Sequence, residues 1–347
     1  MSTRIASIES FRVLAIFAVI LWHSLFLGKL QQLASEHLLA NVTVGLIWWV
    51  GVPYFCLSAG YFFGKSARTD GKPFARLRTY VTPLVWIFLA WLCVYTVIPN
   101  NWPAMVYHHG LWQAFFSETL KNLNLLATQP VTSFLMGYLP VWHLWFLPAL
   151  MFSLAVLSLL AVCRLQGYMI PLIIILYLLG LTEEIAVGEH FLHKWSVAIL
   201  CTALGWWLAG RDQPSMPTAL CLIVGGYAFA AMEGEVMILL FHSTPRAINE
   251  HYFLGGIVLA LGIFLLALAK PNLGKSTPLP FLAQFTFGVY VSHILVFWTL
   301  APIEYWLIKQ SPLWWFPVAL TIYFLAVFFT VILSKVPIAR YLVLRRF

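Results

Sequence analysis

Charged side chains are scarce in this chain. Asp, Glu, Lys and Arg make up 9% of its 347 residues, where a soluble domain carries about 25%. Together with 62% hydrophobic residues and a mean hydropathy of +0.88, that deficit excludes a large soluble domain. Cysteine is also sparse. Cys56, Cys93, Cys163, Cys201 and Cys221 lie in or beside apolar segments without paired spacing. This argues against a disulfide framework or a metal site and assigns them to packing. The chain lacks an internal repeat, a low-complexity tract and a recognisable cleavable leader. Its first apolar run begins after Arg4, contains Arg12 and has no convincing small-residue cleavage site. The net charge of +8 does not point to nucleic acid, because Lys and Arg in short loops are how membrane topology is set.

What the chain does have is aromatic and apolar. It holds 16 Trp, 14 Tyr and 27 Phe, residues that anchor helices at membrane interfaces. Ten apolar segments of about 18–25 residues can be read as spans. They fall near 8–27, 43–63, 80–98, 140–163, 167–183, 195–210, 217–241, 252–269, 281–303 and 313–334. The expected fold is all-α, a polytopic bundle of about ten transmembrane helices in a single membrane domain over residues 1–347. The fifth and sixth segments are short, and Glu233 and Glu235 put the outer end of the seventh in question. With a cytoplasmic N-terminus, fifteen of the twenty Lys and Arg fall on the inner side. The positive-inside rule therefore puts both termini in the cytoplasm. The longest connection, about 99–139, falls outside and holds His108, His109, Trp112 and Pro130. A loop of that length is usually functional or carries short helices of its own.

Five constellations could carry chemistry. In the first segment Glu9, Arg12 and His23 share a helical stripe. Eleven positions separate Arg12 from His23, three turns or roughly 16 Å, and Glu9 is three positions before Arg12. Ionisable residues inside a span are costly and point to function. An imidazole there is suited to general base work. The bland reading has Arg12 snorkelling to headgroups and His23 bonded to a neighbouring helix. The second constellation is the inner loop Lys65–Arg78, with five basic residues ending in Arg76-Leu77-Arg78. It reads either as topological charge or as a phosphate site for guanidinium forks. Third, Val52–Phe62 joins Pro53 to the small residues Ser58, Ala59 and Gly60. Such a run permits a helix break or a packing kink. Fourth, Val141–Pro148 sets His143 among Trp142 and Trp145. That is an interfacial anchor or a place where a substrate meets the outer surface. Fifth, Phe285–His293 places Tyr290 and His293 three apart on one face.

Taken in order, these segments resemble the acyltransferase-3 family of integral membrane acyltransferases. Members begin with an acidic residue, an Arg three positions on and a His eleven further, here Glu9, Arg12 and His23. Their proline-aromatic-Leu-Ser-Gly-Tyr segment matches Pro53–Tyr61, with Ala59 inserted before Gly60. Their Arg-x-Arg matches Arg76 and Arg78, their His-Leu-Trp segment matches His143–Leu147, and their Phe-Gly-x-Tyr-x-x-His matches Phe287–His293. Five motifs in sequence are specific where any one alone would not be.

The resemblance implies an enzyme of a bacterial inner membrane that O-acylates a surface carbohydrate, such as a lipopolysaccharide sugar. The donor would be acyl-CoA, usually acetyl-CoA, arriving from the cytoplasm as a co-substrate, with no bound cofactor. By analogy Arg12, Arg76 and Arg78 would hold the donor. His23 would be the base or a transient acyl carrier, with Glu9 and Arg12 beside it. His143, Trp145, Tyr290 and His293 would meet or support the acceptor. Some relatives carry a fused extracytoplasmic domain, and none is expected here. The expected partners are acyl-CoA, a carbohydrate or glycolipid and membrane lipid. A transporter or flippase of a lipid-linked sugar is the alternative. It predicts discontinuous helices in two corresponding halves, and the sequence shows no such symmetry. A scaffold or sensor would leave the Glu9/Arg12/His23 stripe without a role.

Overall fold

The protein was analysed as a computed structural model, which describes residues 5–24, 38–100, 102–131, 133, 142–187, 191–241, 254–311, 314–337 and 339–343. Arg4, Lys29, Arg246, Arg345 and Arg346, which enter the topology argument, lie outside the described residues, as does Glu250.

Among the described residues the regular structure is all helix. In order the helices are α1 Ala6–His23, α2 Leu38–Asp70, α3 Pro73–Val97, α4 Trp102–His109, α5 Leu111–Thr128, α6 Phe146–Val162, α7 Met169–Val187, α8 Phe191–Leu208, α9 Met216–Phe241, α10 Leu254–Ala269, α11 Leu279–Leu282, α12 Thr286–Gln310, α13 Trp315–Lys335 and α14 Arg340–Val343. Every one of the ten expected segments is occupied by a helix. Among the described residues seven stretches are long and apolar enough to cross a membrane, and α10 is a shorter apolar helix. The long connection after α3 carries α4 and α5, as its length suggested.

At the end of α2 the boundary differs from the sequence reading. α2 is 33 residues long and runs unbroken through Pro53 to Asp70. The basic stretch 65–78 is therefore not a loop. It is the end of one helix, a turn at Gly71 with φ 61°, and the start of the next. The helix outlasts the apolar run because Lys, Ser, Ala and Arg continue a helix readily once it has left the lipid. α9 runs to Phe241 as expected, with Glu233 inside it. That carboxylate accepts hydrogen bonds from the N–H of Leu254 (3.1 Å) and of Gly255 (2.7 Å). It caps the first turn of α10, where backbone N–H groups have no partner within their own helix.

The chain divides into two compact units. The first comprises Met1–Leu77 and Phe152–Gln284. α2 is its centre, packed by α1, α8, α9 and α10. Trp49, Tyr54, Leu57, Phe63 and Phe264 are fully buried there. The Tyr54 and Phe264 rings meet edge-on at 5.6 Å. Small residues set the helix spacing. A Cβ on Gly60 would lie 1.9 Å from the carbonyl oxygen of Thr202, and one on Gly205 would lie 2.1 Å from that of Leu57. α2 and α8 thus touch backbone to backbone, the small-residue mode of membrane helix packing. α9 and α10 meet in the same way, through Gly226 against Leu259 and Gly255 against Ala230. The second unit comprises Arg78–Met151 and Phe285–Phe347. In it α12 packs on α13, Tyr95 donates to the carbonyl of Val291 (2.7 Å) and Asn122 to that of Thr96 (3.1 Å).

Gly225 and Gly226 offer an internal comparison. A Cβ on Gly226 would meet the Leu259 nitrogen at 2.5 Å, whereas one on Gly225 meets nothing within 4 Å. Gly226→Ala is expected to destabilise the protein by about 1–3 kcal/mol, the usual cost of overpacking. Gly225→Ala should be neutral or slightly stabilising, since it removes a helical glycine. Thermal unfolding of the two purified variants in the same detergent checks this. Equal midpoints would mean that the α9–α10 seam is not tight.

Candidate functional site

The residues singled out in the sequence fall into two groups, each within one compact unit. In the first unit α1 carries Glu9, Arg12 and His23. The helix period that aligns them also turns Ile8, Ile16 and Ile20 into the core. Arg12 and Glu9 form an i, i+3 ion pair at 3.3 Å, with side chains 22% and 15% exposed. Arg12 Nε also donates to the Ser58 hydroxyl (3.4 Å). Its guanidinium lies over the Phe62 ring, 5.6 Å from the centroid. Ser58 in turn donates to the carbonyl of Phe55 (3.1 Å). A carboxylate, a hydroxyl and an aromatic face therefore hold Arg12 in one orientation, and a snorkelling arginine would need none of the three. The α2 segment that supplies Ser58 and Phe62 is the one containing Pro53. Its place against α1 is fixed by Tyr54, which donates to the carbonyl of Ile8 (3.4 Å).

His23 is the last residue of α1 and is partly exposed. The sequence reading set it past the midplane, inside a span that ran to about residue 27. The helix ends sooner, so His23 stands at one end and Arg12 about 16 Å back along the same face. The next residue, Ser24, closes the helix by donating its hydroxyl to the carbonyl of Leu21 (2.8 Å).

Arg76 and Arg78 are not brought into this group. Arg76 is bonded to Asp70 across the Gly71 turn, so its charge is answered locally. Arg78 is exposed and belongs to the second unit.

The second group joins His143, Tyr290 and His293. His143 (3% exposed) lies in the 3₁₀ turn Trp142–Trp145 that leads into α6, and His293 (1%) lies in α12. Their rings are 5.1 Å apart and edge-on. Tyr290 donates its hydroxyl to the backbone carbonyl of His143. Nδ1 of His293 is within reach of the carbonyls of Tyr290 (2.7 Å) and Val289 (3.2 Å). Tyr95, which the sequence gave no reason to choose, packs its ring edge-on against His143 at 5.4 Å. Trp145 is buried beside Phe146. A pair of buried imidazoles framed by two tyrosines can hold or relay a proton.

The family model for the acyltransferase-3 domain, described as an acyltransferase domain, matches residues 5–335. This chain belongs to the acyltransferase-3 family. The match runs through both compact units and includes every residue of both groups. No curated protein and no solved structure matches the chain at a significant level. Helices able to cross a membrane and membership of this family together make it a multipass membrane protein carrying an acyltransferase domain.

Three acids elsewhere in the chain have partners of their own. Glu118 pairs with Lys121 (3.2 Å), Glu183 accepts from the N–H of Leu192 (2.9 Å), and Glu233 caps α10.

The Tyr290 hydroxyl is what ties α12 to the His143 turn. Tyr290→Phe should lower stability by about 1 kcal/mol, the usual net worth of one buried hydrogen bond. Thermal unfolding of the purified variant checks this. An unchanged midpoint would remove that bond from the account of how the turn is held.

Proposed function

We propose that this acyltransferase moves an acyl group, acetyl in the first instance, from acyl-CoA to a hydroxyl of an extracytoplasmic or lipid-linked carbohydrate. In this reading it works in a bacterial inner membrane, with both termini in the cytoplasm. The observation that carries the reading is α1 itself. It holds a fixed guanidinium nearly two turns in from its start and an imidazole on the same face at its end, within a domain that matches an acyltransferase family over nearly its whole length.

Each part then has a task. Arg12, oriented by Glu9, Ser58 and Phe62, holds polar groups of the donor away from its reacting end. The pantetheine arm of a CoA thioester is long enough to reach from the Arg12 level toward His23. There the imidazole takes the proton of the acceptor hydroxyl as its oxygen attacks the thioester carbonyl. The C–S bond breaks, and CoA leaves as the thiol once a proton reaches its sulfur. If the imidazole first accepts the acyl group, the same residue serves and the hydroxyl attacks an acyl-imidazole instead. His143, Tyr290 and His293 are assigned to the acceptor.

His23→Ala is expected to reduce transfer by at least about a hundredfold, the lower bound for losing a general base. Expression and thermal unfolding should be unchanged, because His23 is only partly buried. The measurement is incorporation of radiolabelled acetyl from acetyl-CoA into glycoconjugate by membranes carrying each form. Wild-type activity in the variant would remove His23 from the chemistry.

A further inference from the structure

α2 is longer than a membrane needs. Its 33 residues extend about 50 Å, against about 30 Å for the hydrocarbon core. The last turns carry Lys65 and Arg68 beyond the apolar stretch. The turn that follows α8 brings Arg211 to the same corner of the first unit. The contact there is close: a Cβ on Gly210 would lie 1.4 Å from Nη1 of Arg68. Arg68 therefore rests against the backbone of the residue just before Arg211.

Both guanidiniums are laid on indoles of consecutive residues of α8. Arg68 lies over Trp206 at 5.9 Å and Arg211 over Trp207 at 4.6 Å. Beside them Lys65 lies over the Tyr61 ring at 5.8 Å. Aromatic faces attract cations without cancelling their charge. Among the described residues no carboxylate lies within ion-pair distance of Lys65, Arg68 or Arg211, in contrast to Arg12 and Arg76. Partial burial, and then the Arg211 charge, hold the Arg68 guanidinium below its ordinary pKa.

A cavity of about 250 Å³ is lined by Arg211 together with Ile5, Tyr61, Gln213, Pro271 and the exposed Asp212. Gln213 pins the turn by donating to the carbonyls of Leu268 (3.1 Å) and Ala269 (3.4 Å) at the end of α10. A topology signal needs only positive charge on one side of the membrane. It requires neither two guanidiniums spread on adjacent indoles nor a glycine that lets them meet.

We propose that Arg68 and Arg211, with Lys65 beside them, form a binding site for phosphoryl groups, filled during turnover by the phosphates of the CoA donor. The assignment of CoA rests on the function proposed above, whereas the phosphoryl chemistry does not. Guanidinium forks match phosphate oxygens in pairs. Like charges held together without a counter-ion are relieved by an anion. This site takes the donor role that the sequence alone had given to Arg76 and Arg78.

The test uses the full chain in phosphatidylcholine nanodiscs, with calorimetric binding of CoA and of pantetheine, which lacks the phosphates. Wild type should bind CoA far better than pantetheine. Arg68→Gln with Arg211→Gln should weaken CoA binding at least about tenfold, the scale of losing one charge-assisted contact. Arg68→Lys with Arg211→Lys should recover part of the loss, and Arg76→Gln should leave binding unchanged. Gly210→Ala displaces Arg68 without removing charge and should also weaken CoA binding, which covers a double variant that fails to fold.

A second arm measures phosphatidylglycerol retained on the purified protein by native mass spectrometry. If wild type ignores CoA but retains phosphatidylglycerol through these two arginines, the phosphoryl site stands as a lipid headgroup site and the donor reading falls. If CoA binds wild type and double variant alike, the proposed site is overturned while the donor reading survives. If neither ligand depends on Arg68 and Arg211, the proposal is wrong.

Discussion

The backbone-to-backbone contact of α2 with α8 is the constraint on which the rest of the first unit depends. In lipid there is little hydrophobic drive between helices, so close approach through small residues must supply the association. Gly60 against Thr202 and Gly205 against Leu57 leave no room for a side chain. α2 is thereby fixed in position along and around its axis. One face of it then presents Ser58 and Phe62 to Arg12, and its far end carries Arg68 to the turn after α8. The candidate donor-side groups are consequences of one helix being set in place by glycines.

The second governing fact is the scarcity of charge. With so few ions, several among the described residues have a partner of their own. Arg12 has Glu9, Arg76 has Asp70, Lys121 has Glu118, and Glu233 has the open end of α10. A buried or half-buried ion without such provision is costly. The exposed cluster of Lys65, Arg68 and Arg211 is provided for differently. It is a concentration of one sign supported by aromatic rings rather than by carboxylates, which is why it reads as a place for an anion.

Much of this was legible in the sequence, and the remainder was hidden for physical reasons. Apolar runs locate helices because the membrane core demands them, and all ten segments did so. They do not locate helix ends. Hydropathy marks where lipid contact stops, while α2 continues seven residues beyond the expected 63 to Asp70. The Glu9–Arg12 pair was readable because i, i+3 neighbours must meet on a helix. Ser58 lies 46 positions from Arg12, and the carbonyl that Tyr95 bonds lies 196 positions away. No local period reports contacts at that range. Arg76 looked like a free charge because nothing in a run of basic residues shows that a turn at Gly71 folds Asp70 back onto it.

The central claim is that one helix links a donor entering on its Arg12 side to chemistry at its His23 end, so that the acyl group crosses the membrane. Sealed vesicles of known orientation test this most directly. Radiolabelled acetyl-CoA, which does not cross the bilayer, is added outside inverted and right-side-out vesicles containing the protein and its glycoconjugate. The account predicts that only inverted vesicles incorporate label, and that the labelled sugar lies in their lumen, protected from added glycosidase until detergent opens them. Incorporation by right-side-out vesicles, or label on a glycoconjugate exposed on the same face as the donor, would contradict it.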